Sequence, residues 1–403
     1  MERIFAKPFI GALEGHVDAV ECMARQPGTL DMVASGSWDG GLIVHNIIKK
    51  SQQMRIDVAH KGKITGITFA DSNRLLSCGV DRNVKLWDFR DVDENGAGPS
   101  EPRKPLSVFP GKTAFNSIDH HRSDPLFATA SNIVQVWDET KSAPISNLTF
   151  PTSSETISAV RFNLSESSVL ASIGSDRTFT LYDIRTGKAE RRVIMQMRSN
   201  SLSWSPTFPT SVLLASEDHN LYTFDIRSLT HPTQIYKAHV SAVMSCDWSP
   251  TGTHFVSGGW DRTVRIWKEG QGTAPEVYHT KRMQRVMSTL FTADARFVLS
   301  GSDDGNLRIW KAKAHEKLGI IDSRERAALE YRERLKEKWK MDAQVSKVSR
   351  SRHIPKPVHK AAQLKTTMLE AHRVKEERRR KHTRAGENKP KAERKKVVIT
   401  EQT

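Results

Sequence analysis

The 403-residue chain has little of what marks several common protein classes. It holds three cysteines, Cys22, Cys78 and Cys246, and no metal-ligand spacing links them. So few thiols argue against a disulfide framework and for buried core thiols in a reducing compartment. No apolar run reaches the length needed to cross a bilayer, and Met1-Glu-Arg-Ile-Phe does not read as a secretory leader. Apolar residues make up 37% of the chain, which is low for a wholly globular protein and implies a part that buries no core. There is no G-x-x-x-x-G-K-[ST], no dinucleotide fingerprint in a strand–helix setting, no H-E-x-x-H and no G-x-S-x-G, so no catalytic residue or cofactor is assigned. Asp119-His120-His121 invites a metal, but no third nitrogen or thiolate stands at a recognisable spacing, and none is assigned.

Charge is plentiful but unevenly placed. Net charge is +16; residues 311–403 hold 28 Lys or Arg against 13 Asp or Glu, and the remainder holds 34 against 33. A nearly neutral body therefore carries a strongly basic extension, and the two parts face different chemistry.

The body is built on a repeat. Ser257-Gly-Gly-Trp-Asp-Arg-Thr-Val-Arg-Ile-Trp267 reads as a strand end, a tight turn carrying Asp261, and a strand alternating Val264 and Ile266 with polar neighbours before Trp267. His239 stands upstream. Together the Asp261 carboxylate, the imidazole, the Ser257 hydroxyl and the Trp267 indole make a short hydrogen-bond chain that leaves no buried polar atom unpaired. Aligned on the turn, the pattern recurs at Asp39, Asp81, Ser131, Asp176, Asp218, Asp261 and Asp304. Six residues beyond each stands a ring: His45, Trp87, Trp137, Tyr182, Phe224, Trp267 and Trp310. These rings are 42, 50, 45, 42, 43 and 43 residues apart, the period of a four-stranded propeller blade.

The expected fold is all-β: a seven-bladed WD40 β-propeller over residues 1–311, with residues 4–13 supplying the outer strand of the last blade and closing the ring. A basic, mainly helical extension over 312–403 comes after it, partly disordered at its end. The repeated Asp, His and Ser groups are absorbed by the blades, so they do not constitute a catalytic triad and no enzyme is expected. Blades 2 and 6 carry the full set, with His60, Ser77, Asp81, Trp87 and His239, Ser257, Asp261, Trp267. The others are degenerate, which neighbours tolerate by burying both faces of a blade. The long spacing before Trp137 comes from residues 91–103, acidic and then rich in Pro and Gly, which read as a mobile surface loop.

Past Trp310 the periodicity becomes helical. Along Arg324–Trp339, Ala328, Tyr331, Leu335 and Trp339 share a face, and this stripe is expected to pack on the propeller or on a partner. Ser351–Pro357 reads as extended because of its two prolines, and His359–Arg384 as a second helix. Lys389–Lys396 reads as disordered. The dense positive segment favours contact with RNA phosphates, and Arg352, Lys356, Arg373, Lys375, Arg378, Arg379, Arg380 and Lys381 are its candidate RNA- or protein-contact residues. A nuclear-import signal or a solvated helix face accounts for the same run. No aromatic residues are interleaved with it, so specificity is expected from partners.

Several stretches carry a resemblance. Glu2-Arg-Ile-Phe-Ala-Lys-Pro-Phe9, Gly111-Lys-Thr, Ser117-Ile-Asp-His-His121, Val277-Tyr-His-Thr-Lys-Arg-Met-Gln284, Glu316-Lys-Leu-Gly319, Arg352-His-Ile-Pro-Lys356 and Glu370–Lys381 resemble the WD-repeat and SOF-domain family of nucleolar proteins. The resemblance covers essentially the whole chain, and its tail motifs are far more specific than the propeller. It implies a scaffold of the small-subunit processome, associated with the U3 small nucleolar ribonucleoprotein and with pre-ribosomal RNA, needed for small-subunit ribosomal RNA processing in the nucleolus. No membrane association is implied, and the protein is expected to be monomeric within a large complex. Members usually carry a further segment ahead of the Glu-Arg-Ile-Phe stretch, whereas here Met1 directly precedes it. Animal relatives are also described as substrate receptors of a cullin-RING ubiquitin ligase through W-D-x-R boxes. Trp87-Asp88-Phe-Arg90 matches that box in full, and Tyr182-Asp183-Ile-Arg185 and Phe224-Asp225-Ile-Arg227 match it with another ring. An Asp and an Arg so spaced also simply satisfy a blade edge, so the adaptor role is the alternative reading.

Overall fold

The computed structural model describes residues 6–89, 104–148, 156–319, 322–351, 354–384, 387 and 389–402. Among them the strands form seven antiparallel sheets, each a blade of a closed propeller. From the channel outward, blade 1 is β2 (Val20–Arg25), β3 (Met32–Ser37), β4 (Leu42–Asn46) and β5 (Ser51–Ile56). Blade 2 is β6 (Ile64–Phe69), β7 (Arg74–Gly79), β8 (Asn83–Asp88) and β9 (Ser107–Pro110). Blade 3 is β10 (Ser117–His120), β11 (Leu126–Ala130), β12 (Val134–Asp138) and β13 (Ser146–Leu148). Blade 4 begins with β14 (Ile157–Phe162), β15 (Val169–Gly174), β16 (Thr178–Asp183) and β17 (Lys188–Met195). Blade 5 is β18 (Ser199–Trp204), β19 (Ser211–Ser216), β20 (Asn220–Asp225) and β21 (Gln234–Lys237). Blade 6 is β22 (Val243–Trp248), β23 (His254–Gly259), β24 (Val264–Lys268) and β25 (Glu276–Tyr278). Blade 7 is β26 (Val286–Phe291), β27 (Phe297–Ser302) and β28 (Leu307–Lys311), and its outer strand is β1 (Phe9–Leu13).

Strand β1 runs antiparallel to β28, with Phe9 opposite Trp310 and Leu13 opposite Leu307. The first and last strands of the wheel thus meet in one sheet, and the last blade is left with no missing edge. Between blades the walls are apolar. Ala171, Ile173, Phe179 and Val193 of blade 4 pack against Leu202, Trp204, Val212 and Phe224 of blade 5 in one buried cluster. Each fully buried ring of this kind is worth roughly 2–3 kcal/mol by area removed from water.

The turn aspartates do more than the sequence discloses. Every blade is an antiparallel meander, so the turns between its second and third strands and the links between blades emerge on one face, here called upper. In six blades the turn carboxylate accepts the backbone N–H two residues on: Gly41, Asn83, Thr178, Asn220, Thr263 and Asn306. The intervening residue is left-handed in all six: Gly40 (φ 78°), Arg82 (63°), Arg177 (66°), His219 (71°), Arg262 (61°) and Gly305 (75°). The aspartate therefore holds the backbone in a conformation that costs a non-glycine residue about 1 kcal/mol. Gly40 has a further reason, since a Cβ there would lie 2.5 Å from the His60 carbonyl oxygen.

The extension carries α1 (Ser323–Lys338), α2 (Ala343–Arg350), α3 (Lys356–Lys381), a single turn α4 (Arg394–Val397) and a strand β29 (Val398–Gln402). Helix α3 begins three residues earlier than the prolines suggest. Pro355 is its N-cap and Pro357 lies in its first turn, where a missing N–H costs nothing. Helix α2 is capped by the Asp342 carboxylate, which accepts the Gln344 N–H at 2.9 Å; its short polar sequence carries no stripe that would announce it. The segment after α3 departs from the expected disorder. Strand β29 pairs antiparallel with β17, placing Val398 opposite Met195 and Gln402 opposite Arg192, and so gives blade 4 a fifth strand. Val397 is buried in the wall between blades 4 and 5, which anchors the start of that strand on the wheel. The loop over 91–103 and Phe5 lie outside the described residues.

Candidate functional site

The hydrogen-bond chains are structural. In blade 6, His239 Nδ1 lies 2.9 Å from Asp261, its Nε2 2.7 Å from Ser257 Oγ, and Trp267 Nε1 donates to the same hydroxyl at 2.8 Å. Blade 2 repeats this with His60, Asp81, Ser77 and Trp87 at 2.9, 2.7 and 2.9 Å. Burial pushes both imidazoles below their ordinary value despite the adjacent carboxylates, so they are neutral at pH 7. Burial alone would raise the Asp261 carboxyl, but His239, Arg265 and Thr263 outweigh it and hold the group well below the usual carboxylate range. Blades without the histidine substitute another donor for it. Asp176 pairs with Arg192, Asp304 with Arg308, and Asp218 accepts from the Tyr222 hydroxyl. No nucleophile is activated: the serines already serve as acceptors, and no reactant could approach groups this deeply buried.

The Asp119-His120-His121 run disperses. Asp119 binds Arg161 and the Phe162 N–H, His120 bonds Glu139 at 2.9 Å, and His121 accepts the Asp124 N–H at 3.0 Å. Among the described residues no group of three potential ligands is poised for a metal ion. Cys78 and Cys246 are buried and their thiols are pushed up to about 12 by desolvation, which makes them inert packing groups. Inside the channel, Arg161 pairs with Asp119 at 3.2 Å, and Arg25 reaches Asp247 at 3.8 Å.

The candidate adaptor boxes divide. Trp87 is a buried ring of the blade chain, with Asp88 at the end of β8, and Arg90 lies outside the described residues. The other two boxes emerge on the lower face, where the third and fourth strands turn. Arg185 and Arg227 are exposed, at 83% and 74% for their side chains. Each box aspartate accepts the backbone N–H of its own arginine, at 2.9 Å for Asp183 and 3.0 Å for Asp225. The Arg227 fork holds Asp225 at 3.1 and 2.7 Å, and chiefly for that reason the carboxyl sits below its ordinary value. Between the boxes, Arg191 of β17 donates to the Ile226 and Arg227 carbonyls at 3.2 and 3.1 Å. Two neighbouring blades thus present one paired feature.

The basic candidates mostly lie on α3. Arg373, Lys375, Arg378, Arg379, Arg380 and Lys381 occupy its C-terminal half, and Lys356 its first turn; Arg352 lies outside the described residues. Arg380 pairs with Glu376 at 3.1 Å. No other side chain of this run makes an ion pair among the described residues. The cations also sit at the negative end of the helix dipole, which stabilises them there. The helix touches the wheel through Lys365, whose ammonium donates to the His239 carbonyl at 3.2 Å on the upper face of blade 6. Desolvation lowers that amine below its ordinary value. Further on, Lys237 pairs with Glu393, and Arg394 donates to the Thr233 carbonyl at 2.8 Å.

Of the two expectations for the α1 stripe, packing on the propeller is not what the structure has: Tyr331, Leu335 and Trp339 are exposed and no residue of the helix is buried, so a partner is the expectation that stands. Two further residues are not marked by the repeat. Trp38 and Trp260 each immediately precede a turn aspartate and stand exposed on the upper face. A signal for them does exist in the sequence, because a large ring directly before a turn cannot enter the blade core that the ring seven residues later already fills.

Comparisons with known proteins agree with this architecture. The family model described as the WD domain, G-beta repeat, matches residues 7–46, 51–88, 230–268 and 277–311, and that described as the Sof1-like domain matches 312–398. The chain is 40% identical over 401 residues to DDB1- and CUL4-associated factor 13 of Xenopus tropicalis, covering 99% of this chain and 88% of that one. Against Protein SOF1 of Saccharomyces cerevisiae it is 37% identical over 388 residues, 92% of this chain and 79% of that one. The chain belongs to the Sof1-like WD-repeat family. Against the Gallus gallus DDB1- and CUL4-associated factor 13, another Sof1-like relative, identity is 42% over 401 residues, 99% of this chain and 88% of that one. The WD model leaves residues 89–229 unmatched, which hold blades 3 and 4 and the first three strands of blade 5; these still fold as blades with buried apolar walls.

Proposed function

We propose that this Sof1-like protein is a non-catalytic scaffold of the small-subunit processome, working with the U3 ribonucleoprotein in small-subunit ribosomal RNA maturation in the nucleolus. The observation that carries the reading is the match over residues 312–398, because that segment is the basic extension and is docked on a closed wheel. The mechanism is multivalent. A rigid, nearly neutral body offers separate faces to proteins, while the unpaired cations of α3 offer phosphate contacts, and holding both on one chain raises their effective concentration. Recovery of U3 RNA with the tagged full chain, and its loss when Arg373, Lys375, Arg378, Arg379 and Lys381 are changed to Glu, tests this. Full chain that recovers no U3 or pre-ribosomal RNA refutes it.

A second reading has its own observation. Relatives are named for association with DDB1 and CUL4, and the exposed Arg185 and Arg227 stand on adjacent blades, which Arg191 of blade 4 joins through the Arg227 carbonyl. Pull-down of DDB1 by the parent but not by an Arg185→Ala/Arg227→Ala variant supports an adaptor role. Equal recovery by both removes these boxes from it.

A further inference from the structure

We propose that the upper face of blades 6, 7 and 1 is a stacking platform for single-stranded RNA, with Trp260 and Trp38 beneath bases and the neighbouring cations on phosphates. The proposal deepens the reading that α3 contacts RNA and rests on it. The repeat places both rings at equivalent points, one residue before Asp261 and Asp39. They are 43% and 37% exposed, while the blade rings Trp267 and Trp310 are fully buried. Each is anchored in the same manner: the Trp38 and Trp260 backbone N–H groups donate to Ala19 and Ala242 at 3.0 Å. Each also has a cation drawn from the start of the next blade. Lys63 Nζ lies 5.2 Å from the Trp38 ring centre, and the Arg285 guanidinium 4.8 Å from that of Trp260. The Trp38 indole N–H further donates to Glu21 at 2.5 Å, which fixes the edge of that ring.

A fixed, half-exposed ring beside a cation, present twice on one face, is the combination that sequence-tolerant binding of single strands requires. The surrounding charge favours a polyanion. Arg262, Lys281, Arg282 and Arg285 are exposed and form no ion pair among the described residues. Of the nearby carboxylates, Asp261 is engaged by His239, Asp304 by Arg308, and Glu21 by Trp38 and Lys63, while Asp18 and Asp303 form no ion pair among the described residues and are outnumbered by the four cations. Continuity with the basic helix decides between RNA and an acidic protein segment. Lys365 of α3 binds the His239 carbonyl, and the same short link, three residues on, holds the Trp260 backbone through Ala242. Helix α3 and the Trp260 backbone are thus held by the same link, and the α3 cations lie further along that helix.

The test is an anisotropy titration of the full chain with labelled oligouridine at low and high salt. A Trp38→Ala/Trp260→Ala variant should bind about tenfold more weakly or worse at both salts. Its salt slope should be that of the parent, because lost stacking releases no counterions. Trp38→Phe/Trp260→Phe should restore most of the affinity, since a phenyl ring also stacks. An Arg378→Ala/Arg379→Ala/Arg380→Ala variant should instead flatten the salt slope. Both tryptophan variants should melt with the parent, as neither ring is in the core. An alanine variant that binds like the parent overturns the platform and leaves the α3 reading standing. A parent that binds no oligouridine at any salt overturns both. If polyglutamate, and not oligouridine, loses its binding in the alanine variant, the face takes acidic protein and the proposal is wrong.

Discussion

In blade 6, Trp267 is fully buried, stacked on Phe255 with ring centres 6.0 Å apart, and its indole N–H donates to Ser257. In α1, Trp339 is half exposed at the end of a helix with no buried residue. The same side chain thus serves opposite purposes in the two parts of the molecule. The wheel gains stability from neighbours on both sides of every blade, so even the degenerate blades fold. Among the described residues the extension is held at a few points: Lys365 on His239, Glu393 on Lys237, Arg394 on Thr233, Val397 in the wall between blades 4 and 5, and β29 on the edge of blade 4. Its remaining surface, cationic along α3 and apolar along α1, is free for other molecules. A partner can therefore engage the extension without disrupting a core.

Removing β1 should have the largest effect. Deletion of residues 6–13 strips β28 of its outer neighbour and exposes the wall beneath Leu13. Melting should fall by about 10 °C or more and lose its single transition. An unchanged calorimetric trace would show that the wheel does not depend on this closure. Next in size is Asp261→Ala, which leaves His239, Thr263 and Arg265 without their shared acceptor. It should cost about 3–5 kcal/mol in denaturant unfolding, as breaking a buried pair does; a loss no greater than that of a surface substitution would place the stability of blade 6 elsewhere.

Acid should act on the wheel through its histidines. Burial, with the nearby His16, lowers the His45 imidazole to about 3. Burial also lowers His16, His60 and His239. A group whose folded value is depressed binds more protons when unfolded, so its stabilisation is complete above the ordinary value near 6.5 and declines as pH falls through the window below it. For His45 the loss by pH 5 is about 2 kcal/mol, from 1.36 kcal/mol per pH unit. Urea midpoints at pH 7.5 and pH 5 should show this fall, and His45→Gln should reduce it; midpoints that do not move with pH exclude neutral buried imidazoles. The smallest effect belongs to the extension. Tyr331→Ser and Leu335→Ser in α1 should change unfolding by no more than about 0.5 kcal/mol, because both side chains already face water. A drop of several degrees in melting would mean that the stripe packs on the wheel in solution.

The propeller was legible because its signals are local and repeated. A turn carboxylate and a ring six residues on are set by neighbouring backbone, and Trp87, Trp137, Trp267 and Trp310 all lie in the buried positions their spacing implies. Where the aspartate lacks its histidine, the substitute could not be named in advance. Arg192 comes from the fourth strand of blade 4, whereas Tyr222 and Arg308 come from third strands, so no single spacing finds them. The two upper-face tryptophans stand outside the register of the blade rings, so the spacing that finds Trp267 or Trp310 does not point to them.

Residue order by itself determined the number of blades, the identity of the core rings, the neutrality of the body and the basicity of the extension, since each depends on contacts or counts within a few dozen residues. Only the tertiary structure decided that Val398–Gln402 would pair with the edge of blade 4, that Lys365 would settle on His239, and that Trp38 and Trp260 would each stand exposed beside a cation of the next blade. Those outcomes join segments more than a hundred residues apart or compare separate blades. Short polar stretches carry no mark of a distant partner, and the open edge or carbonyl that receives them exists only once the wheel has closed.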